Sequence, residues 1–263
     1  MKILPKKSLG QNFLIDSQIL NMIVELGKIK SNDIVLEVGP GTGNLTEIIL
    51  KKKPKKLVVV EKDKNLSLIL KKRFNNEVEI INDNILNYNH DIYYNKKIII
   101  FGNLPYNIST QILTSWIKIN NLKNFCKKFV LMFQKEVADR ILADSNSKNY
   151  GRLSIISSWK MDIEKITDIN PDSFFPRPKI KSSLLVFKPK NIYYKLENPR
   201  NLEHVTNIFF NQRRKMIRKP LKFLFNDYEK VADELSLDLN LRPQNLTNLT
   251  YYKICSYYEN LLK

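Results

Sequence analysis

Four consecutive residues, Asn103-Leu104-Pro105-Tyr106, bring together the groups needed to hold a planar heterocycle that carries an exocyclic amine. Asn103 supplies a side-chain carbonyl that accepts a hydrogen bond from such an amine. Leu104 precedes a proline and is pushed to extended φ/ψ, which helps to set the direction of its backbone carbonyl, a second acceptor. Tyr106 offers a ring on which an extruded base can stack, an interaction worth roughly 1–3 kcal/mol per base. An exocyclic adenine amine is a poor nucleophile because its lone pair is delocalised into the ring. Two acceptors on its N–H groups favour a more tetrahedral nitrogen, with the lone pair aimed at an electrophile. Given a strong electrophile, no dedicated general base is required, and orientation with stacking carries most of the rate. Alone, the same tetrapeptide is also a plain strand-to-helix turn with a packed tyrosine, so its surroundings decide its meaning.

Those surroundings read as an open α/β sheet. The run Ile98-Ile99-Ile100 is a buried strand that drives into the tetrapeptide, and Ser109 to Lys118 is a helix that leads away. The loop therefore falls past the carboxyl end of a strand, where such sheets place their ligand crevice. Asp33 to Val38 is the first strand of the series; it runs into Gly39-Pro40-Gly41-Thr42-Gly43 and a helix from Asn44 to Lys51. The pattern is not the dinucleotide fingerprint, because Asn44 stands where its third glycine would fall, and this shorter form suits a cofactor without a pyrophosphate. Leu57 to Val60 is the second strand and ends in Glu61, about 20 residues past the glycines, where a ribose diol finds its acceptor. Val78 to Ile81 is the third and ends in Asn82-Asp83-Asn84. Asp83 either accepts from the exocyclic amine of a cofactor adenine or caps the short helical turn that follows. Strand ends of this kind in this order describe how S-adenosylmethionine is held in Rossmann-like methyltransferases, and its sulfonium is a strong electrophile.

Lys128 to Phe133 is the fifth strand, followed by a helix, Lys135 to Ala143, and a polar loop, Asp144 to Tyr150. Met161 to Ile169 and Ser182 to Lys188 complete seven strands, with helices expected between the first five. Between the last two strands, Asp172 to Lys179 is an extended loop held by Pro176 and Pro178. Ahead of the sheet, the polar stretch Lys6 to Leu14 precedes an amphipathic helix, Ser17 to Lys28, with Asp16 or Ser17 as its N-cap. The expected fold is α/β: a Rossmann-like, seven-stranded class I methyltransferase domain over residues 1–190, a linker over 191–200, and a small all-α C-terminal domain over 201–263.

The formal charge of +18 suggests a polyanionic partner, most simply nucleic acid. The 35 lysines and 30 asparagines point to a general Lys/Asn drift, so the nine arginines carry more information than the total. Three of them fall in Asn211-Gln212-Arg213-Arg214-Lys215-Met216-Ile217-Arg218-Lys219. On a helix, Arg214 and Arg218 are four apart and share a face suited to phosphates. Arg213, Arg214, Lys215 and Arg218 are the expected RNA-binding residues. Cys126 and Cys255 are too few for a disulfide framework or a zinc site, and His90 and His204 stand alone, so neither a metal nor a Ser-His-Asp triad is expected. Met1 to Lys7 carries no apolar signal core and no apolar run reaches membrane-spanning length, which predicts a cytoplasmic, reduced protein.

Asn103-Leu104-Pro105-Tyr106 resembles the N/D-P-P-Y motif of N6-adenine methyltransferases, in the form used by the rRNA adenine dimethyltransferases. The whole chain is similar to that family, and most to the KsgA/RsmA branch that acts on small-subunit rRNA. Gly10-Gln11-Asn12-Phe13-Leu14 matches the opening motif, which implies cofactor contacts for Asn12 and Leu14. Glu37 to Gly43 resembles the S-adenosylmethionine loop with Gly39, Gly41 and Gly43, while Glu61, Asp83 and Asn103 fall on its other binding positions. The segment from Phe174 to Ser182 matches a late motif whose first Phe stacks on the target base opposite the tyrosine, which implies that role for Phe174. Gln134 to Arg140, Tyr150 to Ser154 and Phe210 to Lys215 are further shared blocks. The resemblance implies two methyl groups on each of two adjacent adenines in the 3′-terminal hairpin loop of small-subunit (16S) rRNA, on an immature 30S subunit; a monomeric enzyme is expected. The N-terminus is short for the family, and Ile180 stands where Val is usual. The nearest rival is a large-subunit rRNA methyltransferase of the macrolide-resistance (Erm) type, which usually reads Asn-Ile-Pro-Tyr and generally lacks the Phe-Asn-Gln-Arg-Arg-Lys block. A rival of another class is an assembly or transcription factor that kept the fold without the chemistry.

Overall fold

The computed structural model of the chain describes residues 5–6, 10–89, 91–93 and 95–262. Lys7, Ser8 and Leu9 of the polar N-terminal stretch, most of Met1 to Lys7, and His90 lie outside the described residues. In order, the first half forms β1 (Phe13–Leu14), α1 (Ser17–Gly27), β2 (Ile34–Val38), α2 (Asn44–Lys51), β3 (Lys56–Val60), α3 (Lys64–Phe74), β4 (Glu79–Ile81), β5 (Ile98–Asn103), α4 (Ser109–Ile117) and α5 (Leu122–Phe125). Then come β6 (Cys126–Gln134), α6 (Lys135–Ile141), α7 (Arg152–Lys160), β7 (Met161–Ile169), β8 (Phe174–Phe175) and β9 (Ser182–Pro189). The last helices are α8 (Pro199–Phe210), α9 (Arg218–Leu224), α10 (Tyr228–Glu234) and α11 (Asn248–Leu261).

Seven strands form one sheet in the order β4-β3-β2-β5-β6-β9-β7, and β1 pairs separately with β8. The pairs from β4 through β6 are parallel, and β9 runs antiparallel to β6. Parallel strands covered on both faces read as continuous apolar runs, and Val58 to Val60 and Ile98 to Phe101 are buried at every position. Asp16 caps α1, accepting from the N–H groups of Gln18 and Ile19. Gly27, at the end of α1, lies so close to the Phe101 ring that a Cβ there would meet it at 2.3 Å.

One expected helix is missing. Among the described residues the connection from β4 to β5 holds only a 3₁₀ turn, Asp91–Tyr93. Its sequence, with Asn82, Asn84, Asn87 and Asn89 in eight residues, favours local side-chain-to-backbone turns over helix; Asn84 makes one such bond to the N–H of Leu86.

Packing divides the chain into two compact units, Met1–Ala138 with Asp162–Pro189, and Asp139–Met161 with Lys190–Lys263. The sequence keeps 139–161 with the first domain, whereas α7 packs against α8 and α11 and so joins the helical unit. In that unit Val205 and Phe209 of α8 and Tyr251 and Ile254 of α11 are buried. The buried Glu259 carboxylate accepts from the backbone N–H groups of Glu197 and Asn198, just before α8 begins. Among the described residues no helix is long and apolar enough to cross a membrane.

Candidate active site

In the first unit the chain steps outward from β2 to β3 and β4, then returns to pair β5 with the other edge of β2. Such a switch point opens a crevice at the carboxyl ends of the two central strands. A cleft of about 980 Å³, counting its open mouth, lies there, lined by Gly10 to Leu14, Glu37, Gly39 to Thr42, Glu61 and Asn103 to Ile108.

The glycine turn is shaped by three residues in the left-handed region. Gly39 has φ +68° and Gly41 φ +58°, and a Cβ on Gly41 would lie 2.6 Å from the Phe13 ring. Gly43 (φ +85°) does not line the cleft; it caps α2, and a Cβ there would strike Phe74. Behind the turn sit two carboxyl groups. Glu61 accepts from the N–H of Gly41 (3.2 Å) and from the N–H of Asp63 (2.8 Å), one at each oxygen. A carboxylate has about four acceptor positions, so Glu61 still has capacity for a ribose diol. Burial raises its pKa, and the two backbone bonds oppose that. Glu37 is fully enclosed and accepts the Thr46 hydroxyl at 2.7 Å. Burial, with a smaller contribution from Glu61, pushes its pKa up to about 8, so it is protonated at neutral pH.

The opening tetrapeptide extends the same wall. The Asn103 Nδ2 donates to the backbone carbonyl of Asn12 at 2.7 Å. That bond fixes the amide and leaves Oδ1 as an acceptor with no recorded protein donor among the described residues. Leu104 is buried, and the N–H of Ile108 closes the turn on the Pro105 carbonyl at 3.1 Å before α4 begins. Tyr106 is half-buried, and its hydroxyl lies 2.8 Å from Ser182 Oγ at the start of β9.

The N-terminal motif is tied into this wall at several points. Asn44 Nδ2 donates to the Leu14 carbonyl at 2.9 Å, and Gln11 Nε2 to Asp63 at 3.1 Å. Lys6 forms an ion pair with the buried Asp63 at 2.8 Å. Burial works against ionising Asp63, but the bonds from Lys6, Asn65 and Gln11 outweigh it and hold its pKa below the ordinary value.

Besides Gly43, two expected site residues lie off the cleft lining. Asp83 is exposed past the end of β4, accepts the N–H of Asn84, and does not line the cleft. It is Asn82 whose side chain reaches back to the carbonyls of Glu61 and Lys62. Phe174, expected opposite Tyr106, is 3% exposed and packs in the core beside Leu14, its β1 partner, while Phe175 is 56% exposed. Alternate residues of a strand face opposite sides, so this register turns Phe174 inward and Phe175 out. Glu37, Gln11 and Ser182 stood inside the matched motifs without a role of their own, and Asp63 was missed. A lone acid inside the apolar strand Ile34-Val35-Leu36-Glu37-Val38 was the available signal for Glu37.

In the helical unit the expected basic helix is broken. The α8 helix ends at Phe210, residues 211–217 form turns, and α9 starts at Arg218, so Arg214 and Arg218 do not share a helical face. Pro220 accounts for the restart: it is tolerated in a first turn, whereas inside a continuous helix it would lack a donor and clash with the preceding turn. Arg213 is held internally, by Gln244 Oε1 at 3.1 Å and by the Lys148 carbonyl. Arg214, Lys215 and Arg218 are exposed. Among the described residues no group of three or more His, Cys, Asp or Glu could hold a metal ion.

Residues 4–261 match the family model described as ribosomal RNA adenine dimethylase. The chain is 56% identical over 262 residues to the ribosomal RNA small subunit methyltransferase A of Pelagibacter ubique, covering 99% of both chains. It is 43% identical to the protein of that name from a Wolbachia of Drosophila simulans, over 92% of this chain and 89% of that one. Among solved structures, a dimethyladenosine transferase from Plasmodium falciparum superposes with a TM-score of 0.78 at 27% identity, covering 94% of this chain and 98% of that one. The 23S rRNA methyltransferase ErmE shares the fold, with a TM-score of 0.67 at 19% identity over 95% of this chain and all of that one.

Proposed function

From the premise that the chain belongs to the ribosomal RNA adenine dimethylase family, we propose that this cleft methylates N6 of adenines in small-subunit (16S) rRNA, using S-adenosylmethionine. The observation that carries the reading is the Asn103 amide, clamped by the Asn12 carbonyl and left with a free acceptor beside the glycine turn and Glu61. The donor set fits the cofactor: Gly39 and Gly41 permit close approach of a ligand to the backbone, and Glu61 has acceptor capacity left for a ribose. When bound, S-adenosylmethionine supplies an electrophilic methyl group. Asn12 and Leu14 hold the N-terminal motif across the cleft from it, through the bonds to Asn103 and Asn44.

The protein's own part is orientation. Asn103 Oδ1 and the Leu104 carbonyl accept from the N6 amine and turn its lone pair out of the adenine plane. Pro105 keeps Leu104 extended, and Tyr106 supports the extruded base from one face. Phe174 seats β8 on β1 beneath the site, beside the cleft residue Leu14. Of the basic residues, Arg214, Lys215 and Arg218 grip phosphate, while Arg213 braces the turn from which Arg214 and Lys215 project. The targets are two adjacent adenines of the 3′-terminal hairpin loop, each methylated twice, on an immature 30S subunit in the cytoplasm, and the enzyme acts as a monomer. The two-domain division into a methyltransferase domain and a helical RNA-binding domain follows from the same assignment.

Incubating purified protein with labelled methyl donor and, in parallel, with small- and large-subunit rRNA tests the reading. Label in small-subunit RNA alone is expected. Label in large-subunit RNA would favour the Erm-type activity, and binding without transfer would favour the assembly factor.

A further inference from the structure

Tyr106 is built as a tyrosine where stacking alone needs only a ring. Its hydroxyl is spent on Ser182, 76 residues further along the chain, at 2.8 Å. Ser182 is fully buried and is fixed in the sheet, paired with Gln134 of β6 at the first position of β9. Its neighbour Ser183, facing the other side of the sheet as alternation requires, gives its hydroxyl to Asp168 at 2.6 Å. Two successive buried serines thus serve opposite faces, and the one on the cleft side meets the loop that carries the chemistry.

We propose that Ser182 is a positioning residue, holding the Tyr106 ring in the orientation that receives the flipped adenine. The inference rests on the function proposed above and extends it to a residue outside the cleft lining. A ring that swung away would strand a buried serine hydroxyl without its partner, which is costly, so the bond restrains rotation of the ring about its own torsions. A restrained ring loses less freedom when a base stacks on it. Burial raises the phenol pKa, keeping Tyr106 neutral and able to donate or accept in this bond.

A double-mutant cycle of Tyr106→Phe and Ser182→Ala decides it. The readouts are kcat, the KM for each substrate, and the fluorescence of 2-aminopurine placed at the target adenine. Each single change is expected to lower kcat/KM for RNA roughly five- to tenfold, the size of one hydrogen bond. The double variant should be no worse than either single one, the fluorescence should report less extruded base, and the KM for the methyl donor should stay unchanged. Multiplying losses, or a donor KM that moves with the RNA effect, would overturn the latch. Should Ser182→Ala fail to fold, Tyr106→Phe still decides: wild-type kcat/KM in that variant overturns the proposal, and the expected loss with reduced base extrusion supports it. Wild-type protein that transfers no methyl to small-subunit rRNA would overturn the proposed function and the latch together. Wild-type transfer with multiplying losses would overturn the latch alone.

Discussion

Replacing Glu37 by Gln should flatten the dependence of stability on pH. Glu37 is enclosed between the glycine turn and α2, and its folded pKa stands at about 8 against an ordinary 4.5. The folded state therefore keeps a proton that the unfolded chain has already lost. Stability from this group is fully present below about pH 4.5 and is lost as pH rises towards 8. The slope is about 1.4 kcal/mol per pH unit across that window. If the whole interval counted, the loss would be about 5 kcal/mol, and local relaxation should reduce it to a few. Gln keeps an acceptor for the Thr46 hydroxyl and does not titrate. Glu61 titrates in the same direction, through burial, but is present in both proteins and largely cancels in a difference. Thermal melts of ligand-free wild type and Glu37→Gln from pH 5 to 8 should therefore diverge, with the variant gaining about 3–6 °C per pH unit relative to wild type. Parallel curves would refute the reasoning, because they would mean that Glu37 is ionised in the folded protein throughout.

Asn103→Ala should abolish methyl transfer while leaving RNA affinity nearly intact, measured by single-turnover transfer and by filter binding; loss of both together would count against the acceptor role. Exchanging Arg214, Lys215 and Arg218 together for Gln should soften the slope of log affinity against log salt by roughly 2–3, measured by RNA titrations at several ionic strengths. Arg213→Gln should instead lower the melting temperature and leave that slope within error, because its donors are spent on Gln244 and Lys148.

The central sheet was legible because parallel strands covered on both faces leave uninterrupted apolar runs, and Ile98 to Phe101 or Leu57 to Val60 can hardly be read otherwise. The glycine turn, Glu61 and Asn103 were legible because each ends such a strand. What escaped depends on contacts between distant segments. The two-residue strands β1 and β8 are shorter than any period, and only their register decides that Phe174 faces the core and Phe175 the solvent. Asp83 stands exposed past β4, while Asn82, still close to that strand, makes the bridging bonds to the end of β3. The helix through Arg214 and Arg218 was expected from spacing alone, and Pro220 was the signal against it. Ser182 closed the late motif that began at Phe174, but its bond to Tyr106 could not be read there, since that partner lies 76 residues away.

The most direct test is mass spectrometry of small-subunit rRNA fragments after incubation of immature subunits with this protein and S-adenosylmethionine. N6,N6-dimethyladenine at two adjacent positions of the 3′-terminal hairpin loop, absent when Asn103→Ala replaces the wild type, is the predicted result. Unmodified adenines in that fragment, or dimethyladenine produced only in large-subunit RNA, would contradict the account.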